Sequence, residues 1–583
     1  MNYEKSFEVK ILDQIREERA RKRNRTIDEI CNSIARGEIE TATGNLLFHT
    51  PPKEFAKKLQ TTLDRTNTLW NDNDRSVKSH ILGFLVKLSI DLESFLPNWN
   101  LRKGLDDKTL SEAASTVRSV LDKLERTSHE VHSEIIRGLG DETLVRLKAE
   151  GLTEEEAAAE RDKLLSGGSL TAYSKAITAE IRHSNLFAAA ESRHQGATAT
   201  ELGNDYAVLL QHMIWLGGSF VTTNPVLIKV AWDTDAETWN ERVDALIRSH
   251  YKTEEISALL REGGDSLQEA ITHINSQVTM SVVEENCRLL RDIFLVTEGS
   301  RGYVSLQVNP KNHDDGTRMA SEARGLYEEL REGLGGVPNV VFKLPATSAG
   351  LKAAEELTAD GIGVTITVSF AVFQALEFGK VLARGKALVA YIALMNGRMA
   401  FPVRDELKRS GVKGGEEAAR WAGVEVARKS YHRLYDPADR GGLGIDTSRV
   451  KLLIASLRIY DDWLPDISEL WGCPVITFFP NVRRKYDSHS RELDDSSVLK
   501  ETPLTDVHTL LDSEIFRQAW WLPGDSEDQG AKKILTLEES DREALITWEP
   551  VANTLNQFID LYDQMGEMVK ERMARLASES EGD

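Results

Sequence analysis

Between residues 186 and 479 the sequence repeats one kind of segment eight times. The short apolar, β-rich runs are LFAAAES (186–192), SFVTTNP (219–225), YVSLQV (303–308), VVFKLP (340–345), GVTITVSF (363–370), LVAYIAL (388–394), VKLLIAS (450–456) and CPVITFF (473–479). Amphipathic stretches such as RMASEARGLYEELREGL and LKAAEELTADG lie between them. A strand buried on both faces reads as a continuous apolar run, and strands joined through helices run parallel. Eight such units predict an α/β fold, a (β/α)8 TIM barrel. The spacing is uneven. About 80 residues separate the second and third runs, enough for additional helices.

Ahead of the repeats the texture is helical. Thr26-Ile-Asp-Glu29 and Thr153-Glu-Glu-Glu156 both have capping-box spacing, and each predicts a helix start. SHILGFLVKLSIDLESFL (79–96) is apolar enough for a buried helix. LLSGGSL (164–170) is the clearest break, and the boundary is placed near 180. The expected organisation is an all-α N-terminal domain over 1–180, then the barrel with C-terminal helices over 181–583. The segment ALITWEPVANTLNQFIDLYDQMGEMVKERMARL predicts a long amphipathic helix, and the tail ASESEGD a disordered end.

Composition narrows the class of partner. A net charge of −21 over 583 residues argues against duplex nucleic acid, which needs a basic face. The basic cluster RARKRNR (19–25) is flanked by Glu17, Glu18, Asp28 and Glu29, and is read as a solvated helix face. Cys31, Cys287 and Cys473 are far apart, so neither a disulfide framework nor a zinc site is implied. The opening MNYEKSFEVKILDQ lacks a signal-peptide core, and no run of about 18 apolar residues predicts a membrane span. A cytoplasmic protein is expected, needing no metal or other cofactor and compatible with homo-oligomerisation.

One residue breaks an apolar run. NVVFKLPAT (339–347) places Lys343 at the end of the fourth expected strand, where barrels of this kind hold their catalytic side chains. A lysine in an apolar pocket loses its charge readily, and the free amine attacks carbonyls. A lysine that snorkels to the rim or pairs with a carboxylate would occupy the same position.

The neighbouring motifs bear on that choice. TTNPVL (222–227), VSLQV (304–308), FKLPAT (342–347), GIGVTITVSF (361–370), NGR (396–398) and IASLR (454–458) occur in the order, and near the strand positions, of the transaldolase family. The sequence resembles that family from about 186 onward and excludes the N-terminal helices. The resemblance implies a class I aldolase that holds a dihydroxyacetone unit on a lysine and passes it between sugar phosphates. By that resemblance Lys343 is the Schiff-base lysine, and Asn224 binds substrate hydroxyls. Thr367, facing the same way as Thr365, helps to hold the catalytic water. Arg398, Ser456 and Arg458 are the phosphate-binding set, and two guanidinium forks suit a dianion.

Three positions depart from the family pattern. The third-strand glutamate is replaced by Gln307, which can orient water but cannot take its proton. Fructose-6-phosphate aldolases also carry glutamine there, but add a tyrosine where this sequence has Met395. A serine of transaldolases is Ala393 here. The aspartate that ends the first strand has no match in LFAAAESR, and Glu191 is expected in its place. The resemblance therefore leaves three readings: a transaldolase, an aldolase releasing free dihydroxyacetone, and a sugar-phosphate-binding scaffold with altered proton transfer.

Overall fold

The computed structural model describes residues 7–72, 74–196, 199–461, 463–489, 493–522 and 535–579. Helices occupy the chain from Phe7 to His194, and eight parallel strands beyond them close into a barrel in sequence order. The strands are β1 Glu201–Asn204, β2 Phe220–Thr222, β3 Tyr303–Gln307, β4 Val340–Pro345, β5 Val364–Ser369, β6 Ala390–Leu394, β7 Val450–Ile454 and β8 Val475–Phe478. Barrel closure joins β1 to β8, with Glu201 opposite Val475 and Asn204 opposite Phe478. Gly203 is needed there, because a Cβ would come within 2.7 Å of Thr477 Cγ2.

Seven expected strands are found, and the first is a correction. LFAAAES belongs to the helix Asn185–His194, whose N-terminus Ser184 caps through Leu186 N. Three consecutive alanines favour helix, and a serine cap outweighs a modest apolar run. The true β1 reads ELGN, with a single apolar side chain. Its burial is ionic: Glu201 Oε2 accepts from Lys451 Nζ at 2.9 Å and Oε1 from Ser219 Oγ at 2.5 Å. No apolar pattern announces such a strand.

Both capping boxes form, on the helices Ile27–Ala35 and Glu154–Leu165. The expected buried helix is Arg75–Asp91, with Ile81, Leu82, Phe84, Leu85 and Leu88 all excluded from solvent. Ser166–Ser169 separates two helices, and the second, Leu170–His183, runs through position 180. Four helices, the longest Gly264–Val296, fill the interval between β2 and β3. The C-terminal segment breaks at Trp548 into Arg542–Thr547 and Glu549–Glu579. Of the tail expected to be disordered, 577–579 complete that last helix and 580–583 lie outside the described residues.

The largest hydrophobic cluster spans both regions. Leu46, Phe84 and Leu121 of the helical region belong to the same buried cluster as Val304, Phe342 and Ile366 of the strands. No described helix is long and apolar enough to cross a membrane.

Candidate active site

The C-terminal ends of β3, β4 and β5 place Gln307, Lys343 and Thr367 around one cavity. Register explains the grouping. Lys343 sits opposite Gln307 on one side and Thr365 on the other, while Thr367 sits opposite Pro345. Residues two apart on a strand share a face, so Lys343 and Pro345 point the same way. Lys343 is 5% exposed. Burial lowers its pKa to about 8, with Arg398 pushing the same way and Asp205 partly opposing. A large fraction of the amine is therefore neutral just above physiological pH.

Gln307 Oε1 and Thr365 Oγ1 are buried without a hydrogen-bond partner, and Thr367 Oγ1 lies 3.7 Å from Met395 Sδ. Val368, beside Thr367, has φ +54°, an expensive conformation for a β-branched residue. Gln374 enforces it. Its Oε1 accepts from Phe370 N and Ala371 N, and its Nε2 donates to Ala346 O and Val368 O. One buried amide thus fastens the ends of β4 and β5.

Glu191 does not reach this site. On the helix Asn185–His194 its carboxylate accepts from Asn98 Nδ2 at 2.8 Å and Arg102 Nη1 at 2.7 Å. The acid that follows β1 is Asp205. It accepts from Thr222 Oγ1 at 2.5 Å and from Ser456 N at 3.2 Å, and it acts electrostatically on both Lys343 and Arg398. Its only sequence signal is the Asn-Asp pair after ELG, which carries no weight until β1 is located.

Asn224 follows β2 and caps the helix Pro225–Thr234, its Oδ1 accepting from Leu227 N at 2.9 Å. The carbonyl side of its amide is committed to the helix, leaving Nδ2 as the donor for a ligand. Arg398, Ser456 and Arg458 come together after β6 and β7. Ser456 is held at φ +61°, and Arg458 Nη1 donates to its carbonyl at 3.1 Å. Burial and the neighbouring Arg458 push the Arg398 pKa down to about 10. Two guanidiniums held this close favour an anion between them.

Asp466 fixes that corner. Its carboxylate accepts from Asn396 Nδ2 and, at 2.8 Å, from Arg458 N. Burial raises its pKa to about 6 despite those bonds.

The helix Glu549–Glu579 supplies the roof. Leu555 and Phe558 line the cavity, Arg398 Cζ lies 5.8 Å from the Phe558 ring, and Arg398 Nη1 donates to Gln557 Oε1 at 2.5 Å. Sequence periodicity marks this helix as amphipathic, but not what its apolar face covers.

Among the described residues, Glu150, Glu180 and His212 approach within metal-ligand spacing. Their carboxylates are instead occupied by Arg146, Arg483 and Arg484, and three cations against two anions disfavour a further cation.

Comparison with known proteins matches residues 212–520 to the family described as transaldolase/fructose-6-phosphate aldolase. A transaldolase of Neisseria meningitidis serogroup A is 32% identical over 297 residues, covering 47% of this chain and 75% of the relative. A serogroup C transaldolase of the same species is 27% identical over 297 residues with the same coverage. Transaldolase 2 of a Nostoc species is 37% identical over 230 residues, 34% of this chain and 58% of that protein.

Proposed function

The chain belongs to the transaldolase/fructose-6-phosphate aldolase family, and we propose that it transfers a dihydroxyacetone unit between sugar phosphates through an imine on Lys343. The observation that carries this reading is the buried amine of Lys343, lowered to about 8, with Asp205 and Arg398 close enough to act on it. Arg398, Arg458 and Ser456 grip the phosphate of a ketose phosphate and set its C2 carbonyl against Lys343 Nζ. The neutral amine attacks C2 to form a carbinolamine. A proton delivered through the water that Gln307 and Thr367 orient lets the carbinolamine hydroxyl leave as water, giving the protonated imine. Asp205 takes the proton of the C4 hydroxyl, the C3–C4 bond breaks, and its electrons pass into the imine to form an enamine. The aldose phosphate departs with the phosphate. The enamine then attacks an acceptor aldehyde, which Asp205 reprotonates, and hydrolysis frees Lys343. Asn224, through Nδ2, and Thr365 are assigned to the substrate-binding wall.

With Asp205 beyond β1, the cleavage step has a carboxylate that Glu191 cannot provide. Borohydride reduction in the presence of fructose 6-phosphate tests the reading. A reduced adduct on Lys343 is expected after digestion, and its absence overturns it.

Gln307 supports a second reading, cleavage with release of free dihydroxyacetone. Assaying fructose 6-phosphate without an acceptor separates the two. Glyceraldehyde 3-phosphate released only when an acceptor aldose phosphate is present supports transfer, and steady release without one supports the aldolase.

A further inference from the structure

At the opposite end of the barrel lies a cluster of charge that this chemistry does not use. Glu201 opens β1, Lys451 lies at the start of β7, and Arg301 precedes β3. Arg193 reaches the same place from the helix Asn185–His194. All three cations act on Glu201 and, against the cost of its burial, hold its carboxyl down at about 2. Both Glu201 oxygens are already taken, one by Lys451 Nζ and one by Ser219 Oγ. Among the described residues, neither Arg193 nor Arg301 has a carboxylate within ion-pair distance.

The two guanidiniums instead share one indole. Arg193 Cζ lies 5.8 Å and Arg301 Cζ 5.9 Å from the Trp99 ring. Cation–π attraction offsets part of their mutual repulsion but supplies no counter-charge. Arg193 Nη1 and Trp99 Nε1 are both buried donors without a hydrogen-bond partner. Such donors suit a bound water or an ion, and water would satisfy the N–H groups without balancing a surplus of two positive charges. Burial, with Arg301 adding to it, lowers the Arg193 pKa to about 9, the sense expected of a guanidinium lacking its anion.

We propose that Arg193, Arg301 and Trp99 form a second anion site at the floor of the barrel, one that takes a phosphate dianion, free or as the monoester of a small metabolite. Trp99 belongs to the helical region and Arg301 to the barrel, so an anion between them ties the two parts together and stabilises the fold in proportion to its occupancy.

Equilibrium dialysis of the full chain against labelled inorganic phosphate tests the site. Two phosphates per chain are expected, one of them lost in R193Q/R301Q and the other in R398Q/R458Q. Displacement of the floor phosphate by glycerol 3-phosphate assigns the monoester, and failure to displace it assigns free phosphate. A single phosphate that survives R193Q/R301Q and disappears in R398Q/R458Q overturns the proposal and leaves the catalytic clamp standing. A single wild-type phosphate that disappears in R193Q/R301Q and survives R398Q/R458Q would overturn the clamp instead. Should R193Q/R301Q fail to fold, Trp99→Phe keeps the packing and removes one donor. It is expected to weaken one phosphate site several-fold and to reduce the phosphate-induced rise in Tm, and unchanged binding at both sites overturns the proposal.

Discussion

Lys343 and Asp205 carry predictions of opposite kinds. The Lys343 pKa falls from 10.5 in the unfolded chain to about 8 in the folded one. Between those values the unfolded state holds the extra proton, so stability rises with pH across that window, and the cost of burying the charge is fully present below about 8. That cost is roughly 3 kcal/mol at neutral pH. Lys343→Met is therefore expected to abolish adduct formation while raising stability by about 1–3 kcal/mol, as read from denaturant midpoints at pH 7. A less stable variant contradicts this account. Single-turnover imine formation should rise with pH up to about 8 and level off above it. Asp205→Asn removes the base but leaves the nucleophile. Turnover should fall by about 10²–10⁴, while borohydride still traps substrate on Lys343. Loss of trapping in that variant would place Asp205 in imine formation rather than cleavage.

The C-terminal helix Glu549–Glu579 is the element with the most direct hold on the site. Val569 and Met573 on its apolar face join Trp232, Trp239 and Ile274 of the helices between β2 and β3 in one buried cluster. Arg572 and Arg575 both bond Asp244 on those same helices. This anchorage places Gln557 on Arg398, the arginine assigned in the proposed function to the substrate phosphate. On that assignment, substrate must displace the amide. Gln557→Ala should therefore lower KM for a phosphorylated ketose several-fold, about 1 kcal/mol, with little change in kcat. A higher KM would mean that Gln557 belongs to the phosphate grip. The strain at Val368 is likewise sustained by an element, since Gln374 bonds both strand ends at once.

At the scale of the whole molecule, the helical region and the barrel share the largest hydrophobic cluster and a buried ionic seam. Glu150 follows the helix His129–Ala149 and pairs with Arg146, and with Arg483 and Arg484 on the helix after β8. Its side chain is 1% exposed, so Glu150→Ala removes the one carboxylate that the three arginines share, leaving Arg146 with Glu180, Arg483 with Asp487 and Arg484 with Glu160. A loss of roughly 1–3 kcal/mol is expected in urea unfolding. A chain starting at 181 should be insoluble, because the apolar surface that Leu46, Phe84 and Leu121 help to cover would face water. A soluble, active product of that truncation would show that the barrel folds unaided.

Much of the architecture is local and so was legible. β3 to β8 are apolar runs bounded by turns, the capping boxes at Thr26 and Thr153 are four-residue signals, and Lys343 stands out because a charge interrupts an apolar run. β1 was not legible. ELGN is buried by the pairing of Glu201 with Lys451, 250 residues away, and no window of sequence contains both partners. Asp205 was hidden for the same reason, since its place beyond β1 exists only once that strand is found. Gln557 over Arg398 is likewise a contact across 159 residues. Sequence by itself determined the alternation of strand and helix and the lysine that interrupts an apolar run, because side-chain periodicity and charge are properties of neighbours along the chain, whereas the arginine pair was reached through the family resemblance alone. Only the tertiary structure decided which acid faces Lys343, what roofs the site, and where cations gather without a partner, because those depend on distances that barrel closure creates.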